Sequence, residues 1–323
     1  IPQGSILGPL LFIIFINDLT ACCTNGADLF LYADDAKLFR HILNNNDVSL
    51  LQKDLLNLQA WTDKWLLKLN INKCKVVSYG HHINFKNDYY LHSDGSISVL
   101  EHLSYIKDLG VTFDSNLKFD VHIHEKINKA NSVLGLIYRN FKYMSTNTFI
   151  TLYKTLVRPH LEYANCVWSP FRQMDVDKLE KVQIRATKMV KHLKKYSYEV
   201  RLRFLNLPTL KYRRLRGDMI QVYNILSGVH DSNSVIKFNM SNISYTRGNK
   251  VKMQLSHIQY NLRKHFFSNR IIDVWNSLPN DIVSADSTNI FKNRLDKFWY
   301  NQDFKFDSNA DIAGIGSRSL KCI

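Results

Sequence analysis

The amino-acid sequence predicts an α+β fold, with short strands and helices near the amino terminus and a mainly helical remainder. Short aromatic-rich runs typical of strands occur before about residue 113. Beyond about His122, apolar residues recur at steps of 3 and 4, which is the spacing of a helix face. The composition, 45% hydrophobic and 22% charged, is that of an ordinary folded chain and excludes wholesale disorder.

The first third of the sequence alternates helices and strands. Gly8-Pro9 opens an apolar helix over residues 10–19, which we expect to be buried because it is shorter than the roughly 20 residues that span a membrane. A strand over residues 29–33 precedes a turn at Asp34-Asp35 and a returning strand over residues 36–39. The elements predicted next are a helix over 50–69, a strand over 74–79, a loop or hairpin over 80–98 and a strand over 105–113.

The remaining sequence predicts helices separated by polar segments. They cover residues 123–137, 146–158 with an end at Pro159, 175–195, 211–226, 263–275 and 289–299. Residues 229–255 have the polar composition of a linker or exposed loops, and residues 307–323 that of a frayed tail. The predicted divisions are therefore residues 1–115, 116–228 and 229–323.

Positive charge is concentrated in the middle of the chain. Residues 1–120 carry 10 Lys and Arg against 13 Asp and Glu, residues 121–220 carry 20 against 7, and residues 221–323 carry 13 against 8. This asymmetry favours a polyanion-binding middle segment, although a net charge of +15 also serves solubility alone.

The five cysteines give no metal-binding or disulfide pattern. None of them forms a CxxC pair, so we interpret them as reduced thiols of an intracellular protein, nuclear or cytoplasmic: Cys22, Cys23, Cys74, Cys166 and Cys322. The sequence also shows no basic leader or cleavage site of a signal peptide.

The pair Asp34-Asp35 is the first candidate for catalysis. Two-metal phosphoryl chemistry needs carboxylates that hold Mg²⁺ ions about 4 Å apart, and an Asp pair at a hairpin tip offers hard oxygen ligands. Taken alone, however, such a pair is more typical of an ordinary turn, because Asp favours turns for backbone reasons.

Neighbouring motifs favour the catalytic interpretation. In order and spacing, the chain resembles reverse transcriptases of non-LTR retrotransposons, on Pro2-Gln3-Gly4-Ser5, Gly8-Pro9-Leu10-Leu11-Phe12, Asn17-Asp18-Leu19 and Tyr32-Ala33-Asp34-Asp35. Later segments resemble the jockey-like class, among them Leu156-Val157-Arg158-Pro159, Val167-Trp168-Ser169-Pro170 and Val274-Trp275-Asn276-Ser277-Leu278-Pro279. The resemblance implies part of a right-hand polymerase: a partial palm with an antiparallel sheet (1–115), a basic helical thumb (116–228) and a carboxy-terminal module of unassigned role (229–323).

The resemblance also implies roles for individual residues. Asp34 and Asp35 would be catalytic ligands of two Mg²⁺ ions, with Mn²⁺ as the alternative. Gln3, Gly4 and Tyr32 would lie beside the nucleotide and template. Lys73 would lie near the leaving pyrophosphate, and Leu109-Gly110 would form the primer grip. The sequence supports Lys73 as an ordinary exposed lysine, and Leu109-Gly110 as a simple glycine bulge, equally well. The implied partners are a dNTP, an RNA template and a DNA primer or RNA–DNA hybrid.

The predicted helix over 175–195 carries a basic stripe. Cations recur at steps of 3 and 4, and Glu180 is the only acid between the first and the last of them: Lys178, Lys181, Arg185, Lys188, His192 and Lys195. We predict that they contact the nucleic-acid backbone without reading sequence, and that nearby arginines extend this surface: Arg201, Arg203, Arg213, Arg214 and Arg216. A merely solvated helix face is the alternative.

Polymerases of this family place another metal-binding Asp before the Pro-Gln-Gly-Ser motif, at which this sequence starts. We therefore expect a carboxy-terminal fragment that is inactive as a polymerase by itself. The alternatives are a non-catalytic nucleic-acid-binding protein derived from such an element, and the translation of a dead element that forms no stable protein.

Overall fold

Apolar side chains collect in separate cores in two units of the chain. The structure is a computed structural model that describes residues 4–80, 87–93, 95–232, 234–241, 249–255 and 257–314. The first unit comprises Ile1–Ile106 with Asp114–Asn116, and the second comprises Lys107–Phe113 with Leu117–Ile323. Each unit has its own buried clusters, and the mixture of helices and small sheets is an α+β fold.

The first unit is built around one long helix. In chain order its elements are α1 (Leu7–Ile16), a 3₁₀ turn (Asn17–Cys22), β1 (Asp28–Tyr32), β2 (Asp35–Phe39), α2 (Asn45–Lys64), a second 3₁₀ turn (Ile71–Lys73), β3 (Lys75–Val76), β4 (Tyr90–Ser93), β5 (Ser96–Val99) and β6 (Glu101–His102). Strands β1 and β2 pair antiparallel, as do β4 and β5, whereas β3 and β6 pair in parallel. The described strands thus form two-stranded sheets where the sequence predicted one antiparallel sheet.

Helix α2 is specified by its cap and by the polar residues on its buried side. The Asn44 side chain accepts hydrogen bonds from the Asn46 and Asp47 amides, and Asp47 completes a capping box. Gln52 pairs with both backbone groups of Tyr90, its amide donating to the carbonyl at 2.9 Å and its oxygen accepting from the N–H at 3.0 Å. Gln59 does the same for His92. The two glutamines therefore satisfy backbone groups of β4 that would otherwise be unpaired at a sheet edge.

The prediction that the first apolar helix is buried is wrong for most of α1. Ile13 and Ile14 are 60% and 65% exposed, and only Ile16 of this helix is buried. The helix is apolar all round, and its neighbours in the first unit cover one side of it. On that side Phe15 meets Trp61 and Trp65 edge-on, with ring centroids 5.9 and 5.7 Å apart.

The second unit is almost entirely helical. A hairpin of β7 (Tyr105–Asp108) and β8 (Val111–Asp114) lies where the chain passes between the units. The helices that form the first core are α3 (Asp120–Asn140), α4 (Thr146–Leu152), a π-helical turn (Tyr153–Val157), α5 (Arg158–Glu162), α6 (Asn165–Trp168), α7 (Gln173–Thr187) and α8 (Tyr198–Leu205).

A second core joins one long helix to the carboxy-terminal region. Its helices are α9 (Leu210–Leu226), α10 (Asn261–His265), α11 (Phe267–Arg270), α12 (Ile272–Ser277), α13 (Asn280–Val283) and α14 (Thr288–Phe298). Tyr212 and Tyr223 of α9 pack in one cluster with Trp275, Phe291 and Trp299. Segments 116–228 and 229–323, predicted as separate divisions, thus share a core within the second unit.

Several predicted helix boundaries differ from the structure, and the helix predicted over 50–69 lies five residues earlier, over Asn45–Lys64. Pro159 does not stop the helical segment, because the π-helical turn lets the Arg158 amide bond to the Tyr153 carbonyl and leaves Pro159 in the first turn of α5. The helix predicted over 175–195 ends at Thr187, and the buried Val190 is extended. The helix predicted over 263–275 is broken, because Phe266 is extended between α10 and α11.

None of the helices in the described residues is long and apolar enough to cross a membrane.

Candidate active site

The candidate catalytic residues lie on a tight two-stranded hairpin, here called the Asp hairpin (residues 28–39). The last paired residues are Tyr32 and Asp35, so Ala33 and Asp34 form the turn, one residue earlier than predicted. Ala33 takes a left-handed conformation, with φ at 52°, as tight hairpin turns require. Asp34, Asp35 and Tyr32 are all exposed. The structure therefore brings together three of the predicted site residues at one solvent-facing tip.

The two faces of the Asp hairpin differ because strand residues alternate in direction. Leu29 and Leu31 pack toward the cluster that contains Ile16, Leu19 and Leu58. The opposite face carries exposed aromatic rings, and on it Phe30 stacks on Phe39 with ring centroids 5.3 Å apart. By alternation, Tyr32 and Asp35 lie on this exposed face.

A buried carboxylate that the sequence reasoning missed holds the start of the hairpin. Asp54 of α2 is fully buried and accepts three hydrogen bonds, from the Asn25 amide (2.9 Å), the Asn25 side chain (2.8 Å) and the Ala27 amide (3.0 Å). The sequence does indicate that Asp54 is buried. It stands between Leu51 and Leu58 at helical spacing and therefore lies in the apolar stripe of the helix.

Arg40 holds the other end of the hairpin and was also missed. It follows β2 directly, forms an ion pair with Asp47 at 3.0 Å and donates to the Asn25 carbonyl. The entry and the exit of the Asp hairpin are thereby fixed to the amino-terminal half of α2. Nothing in the spacing of Arg40 distinguishes it from a solvated arginine, so this role could be found only from the fold.

The other residues predicted for the catalytic region lie elsewhere in the first unit. Gln3 lies outside the described residues. Gly4 is exposed, with a positive φ of 90°. Lys73 is exposed in the 3₁₀ turn over Ile71–Lys73, and in the described part of the chain no hydrogen bond or ion pair joins it to Asp34 or Asp35.

The Asp hairpin has the donor chemistry for Mg²⁺ but supplies only part of a ligand set. Two exposed carboxylates at one tip offer the hard oxygen atoms that Mg²⁺ prefers. Among the described residues, no group of three or more His, Cys, Asp or Glu side chains is arranged to hold a metal ion. Asp34 and Asp35 offer carboxylate oxygens of the kind that Mg²⁺ takes from a protein, at a tip that is open to solvent.

The predicted primer-grip residues form the turn between β7 and β8, here called the 109–110 turn. Leu109 and Gly110 both have positive φ, 43° and 82°. The Tyr163 hydroxyl donates to the Leu109 carbonyl at 2.9 Å, and the Lys126 ammonium donates to the Gly110 carbonyl at 2.9 Å. Because side chains of the second unit hold both carbonyls, the half-exposed Leu109 side chain is presented on a fixed support.

Two further contacts fix β8 on α3. The Thr112 amide donates to Nδ1 of the fully buried His122 at 3.1 Å, and the Thr112 hydroxyl donates to Glu125 at 2.9 Å. Burial, with the nearby cations Lys126 and Lys107 in addition, lowers the pKa of His122 to about 4. The imidazole is therefore neutral near pH 7, as a hydrogen-bond acceptor at Nδ1 must be.

The basic stripe is shorter than the sequence predicted. Lys178, Lys181 and Arg185 lie on α7, and Lys188 caps its carboxy-terminal end. Lys195 lies beyond the helix, with its ammonium 5.3 Å from the Tyr196 ring centroid. Two side chains of the stripe contact α3, since Lys178 lies 3.3 Å from His124 and Arg185 donates to Asn131 at 3.0 Å, and Lys178 also pairs with the buried Asp175 at 3.0 Å. Lys181 and Lys188 are exposed.

The prediction that later arginines extend this surface is wrong for Arg201 and Arg214, whereas Arg203 is exposed and Arg213 and Arg216 are partly buried. Arg201 and Arg214 are buried, and the other three are in ion pairs within the second unit: Arg203 with Glu199, Arg213 with Glu162 and Arg216 with Asp296. Apart from Arg203, these arginines are buried or paired across the second unit, so the basic surface is concentrated on α7 and its flanks.

Comparisons with known proteins agree on one family. A family model described as "Reverse transcriptase (RNA-dependent DNA polymerase)" matches residues 1–134. The chain is 29% identical over 204 residues to an RNA-directed DNA polymerase from mobile element jockey of Drosophila funebris, covering 59% of this chain and 21% of the relative. It is also 29% identical over 228 residues to a probable RNA-directed DNA polymerase from transposon BS of Drosophila melanogaster, covering 65% of this chain and 24% of the relative.

The chain thus spans about a fifth to a quarter of the length of these curated relatives. No solved structure matches it.

Proposed function

We propose that this chain is part of the RNA-directed DNA polymerase of a jockey-like non-LTR retrotransposon, on the premise that residues 1–134 are a reverse transcriptase sequence. The observation that carries the proposal is the Asp hairpin, which lies inside the matched segment. Its two carboxylates are exposed at a tight turn whose ends are fixed to α2 by Asp54 and Arg40. A catalytic site must position metal ions and phosphates to within tenths of an ångström. A hairpin that is fixed at both ends provides the rigid support for this.

In this proposal the Asp hairpin contributes to nucleotidyl transfer. A primer 3′-hydroxyl attacks the α-phosphate of a dNTP, a phosphodiester bond forms and pyrophosphate leaves. Two Mg²⁺ ions, or Mn²⁺ in their place, would activate the hydroxyl and stabilise charge on the leaving oxygen. Asp34 and Asp35 would supply carboxylate ligands, together with ligands from outside the hairpin.

The remaining predicted residues take supporting roles in the same proposal. Gln3, Gly4 and Tyr32 would lie against the nucleotide and template, and Lys73 would face the pyrophosphate as a cation or proton donor. The 109–110 turn would hold the primer end. The attachment of both turn carbonyls supports this last role. A turn that positions the primer 3′-hydroxyl must itself stay in place while the hydroxyl attacks.

The test is RNA-templated primer extension by the longest open reading frame that contains this chain. Asp34→Asn and Asp35→Asn keep the side-chain shape but remove the negative charge, and we expect each to reduce extension on the order of 100-fold or more. Asp28→Asn is the matched control, since Asp28 is exposed at the other end of the same hairpin. Retained extension by the Asp34 variant, or an equal loss with Asp28→Asn, would contradict the assignment.

A second candidate function is duplex binding without catalysis, and the basic stripe favours it. Lys181, Arg185 and Lys188 form an exposed row of like charge on α7 and its cap. Such a row can bind the phosphate backbone of a duplex without contacting base edges, so binding would not depend on base sequence. This function needs neither Asp34 nor Asp35.

Neutralising this row tests the second function separately. Changing Lys181, Arg185 and Lys188 to Gln is expected to reduce the log–log salt slope of duplex DNA binding by about 0.9 for each lost phosphate contact. Lys297→Gln on α14 is the control, because it removes an exposed cation from a different helix of the same unit. Duplex binding that does not depend on salt would argue against this function.

A further inference from the structure

The carboxy-terminal part of the second unit contains a long stretch without acidic residues. Between Asp231 and Asp273 the sequence has no Asp or Glu and seven Lys or Arg, at positions 237, 247, 250, 252, 263, 264 and 270. Solvated protein surfaces ordinarily mix both signs of charge. Arg270 has its partner, Asp218, inside the protein, so the stretch favours an anionic ligand only where its other cations are exposed.

Exposed aromatic rings lie beside two of these cations on the short helix α10. Tyr260, just before the helix, is 68% exposed, and Phe266, just after it, is 51% exposed. Arg263 and Lys264 between them are also exposed, and neither forms an ion pair with a carboxylate in the described part of the chain. Aromatic rings and unpaired cations thus alternate over one short segment.

A second pair of rings extends this arrangement from a distant part of the sequence. His265 stacks on Phe171 with ring centroids 5.1 Å apart and an interplanar angle of 15°. The guanidinium of Arg172 lies 5.5 Å from the centroid of the same Phe171 ring. Burial, followed by the cations Lys264 and Arg270, lowers the pKa of His265, which favours the neutral ring.

The segment is anchored firmly to the core of the second unit. Phe267 is buried, and Arg270 forms two hydrogen bonds of 3.0 Å to the buried Asp218. Arg270 also donates to the carbonyls of Asn165 and Cys166 in α6, at 3.3 and 3.0 Å. Tyr260 and Phe266 are therefore exposed on a structured support and are not a loose end of the chain.

We propose that the surface formed by Phe171, Tyr260, Arg263, Lys264, His265 and Phe266 binds single-stranded nucleic acid. We call it the aromatic–basic surface. Unpaired bases present flat faces that stack on aromatic rings, and their phosphates lie close enough to pair with adjacent cations. In a duplex the base faces are stacked on one another and cannot reach aromatic side chains. We therefore expect this surface to bind single strands and the basic stripe on α7 to bind duplexes. The proposal does not rest on polymerase activity, because it uses no residue of the Asp hairpin.

The test uses the chain of 323 residues and two fluorescein-labelled probes, a 20-nucleotide oligo(U) RNA and a 20-base-pair DNA duplex. Tyr260→Ala with Phe266→Ala is expected to weaken oligo(U) binding roughly fivefold or more for each base that loses its stacking partner, and to leave duplex binding unchanged. Phe298→Ala is the matched control, since Phe298 is 46% exposed on α14 of the same unit. It should bind both probes like the unchanged chain.

A charge variant tests the other half of the surface. Arg263→Gln with Lys264→Gln should lower the salt slope of oligo(U) binding by about 0.7 for each lost phosphate contact. Lys181→Gln with Lys188→Gln should instead weaken the duplex complex, which separates failure of this proposal from failure of duplex binding by the basic stripe.

Two results would overturn the proposal. One is an unchanged chain that does not bind oligo(U) at low salt. The other is oligo(U) affinity that neither the aromatic nor the charge variant alters, because the RNA would then bind elsewhere on the chain. Unfolding midpoints of each variant, and Tyr260→Ala alone, show whether a loss of binding is merely a loss of folding.

Discussion

A single buried carboxylate, that of Asp54, determines how the candidate catalytic hairpin joins its supporting helix. An ionised carboxylate is costly to bury unless hydrogen bonds replace its water. Here two backbone amides and one side-chain amide do so, and all three belong to Asn25 and Ala27 just before β1. The same contacts that allow the charge to be buried thus fix the start of the Asp hairpin.

Asp54→Asn is therefore expected to destabilise the first unit by about 1–3 kcal/mol. The new amide must turn its NH₂ group toward either the Asn25 donors or the Ala27 amide. Two hydrogen-bond donors then face each other in the protein interior, and neither has an acceptor there. Chemical denaturation measures the loss. Asp63→Asn, an exposed change on the same helix, should alter the free energy of unfolding by less than about 0.5 kcal/mol. Equal effects of the two changes would refute the anchoring role of Asp54.

Gly110 is the second residue whose identity the geometry requires. Its φ is 82°, and a Cβ added there would lie 3.2 Å from Cε1 of Tyr163. Gly110→Ala should therefore destabilise the second unit by about 1–2 kcal/mol, through backbone strain and displacement of the Tyr163 ring.

Gly135→Ala provides the opposite expectation within the same unit. Gly135 lies inside α3, where an added Cβ meets no atom within 4 Å. Alanine is the better helix former there, so this change should stabilise by about 1 kcal/mol. Thermal unfolding of both variants measures the contrast, and a Gly110→Ala variant as stable as the unchanged chain would contradict the structure of the 109–110 turn.

Residue types alone predicted which side chains could do chemistry, but not which were already partnered. The tight turn at Asp34 follows from an Asp pair after an aromatic strand, and the structure places it within one residue of the prediction. Arg213 and Arg216 have the same sequence character as Lys181 and Lys188. Their partners Glu162 and Asp296 are 51 and 80 residues away, so only the fold reveals that their charges are used internally.

Among the secondary-structure elements, long helices were predictable and several of their ends were not. α9 and α14 begin and end within one residue of their predictions because their apolar residues recur at helical spacing over several turns. α2 was predicted as a helix but begins and ends five residues earlier than expected, since Asn44 caps it. The end of α7 depends instead on Val190, which leaves the helix to fill the core. The exposure of α1 could not be read from its sequence either, because an all-apolar helix specifies no outward face.

The ion pair between Arg270 and the buried Asp218 links α11 to α9. Asp218 is 2% exposed, and burial raises the pKa of its carboxyl even though Arg270 opposes this shift. Arg270→Met should cost about 3–5 kcal/mol near pH 7, because it leaves a buried charge without its partner. Denaturant unfolding of the second unit measures this cost.

The pH dependence of that variant has a definite sign. Without Arg270 the pKa of Asp218 in the folded state rises further above its unfolded value. The folded variant is then relatively more stable at low pH, and it loses this stability as pH rises through the folded pKa. Arg203→Met removes the exposed ion pair with Glu199 and should cost no more than about 1 kcal/mol. Similar losses for the two arginine variants would show that the Arg270 link is no more than a surface pair.

On the scale of the whole chain, the two units with separate cores predict unfolding in two steps. The second unit contains roughly twice as many residues as the first, and the enthalpy of unfolding scales with residue number. Calorimetry should therefore show two transitions of unequal size. A chain that forms no stable protein would show neither.

Two core substitutions assign these transitions. Leu58 is buried in the first unit and Leu179 in the second, and Leu→Ala in a core costs about 2–5 kcal/mol. Leu58→Ala should lower only the midpoint of the smaller transition, and Leu179→Ala only that of the larger one. A single transition that both substitutions shift equally would mean that the chain unfolds as one cooperative body. Activity losses caused by variants in one unit would then reflect unfolding of the other, so this measurement decides how the variants of the Asp hairpin and of the basic stripe are interpreted.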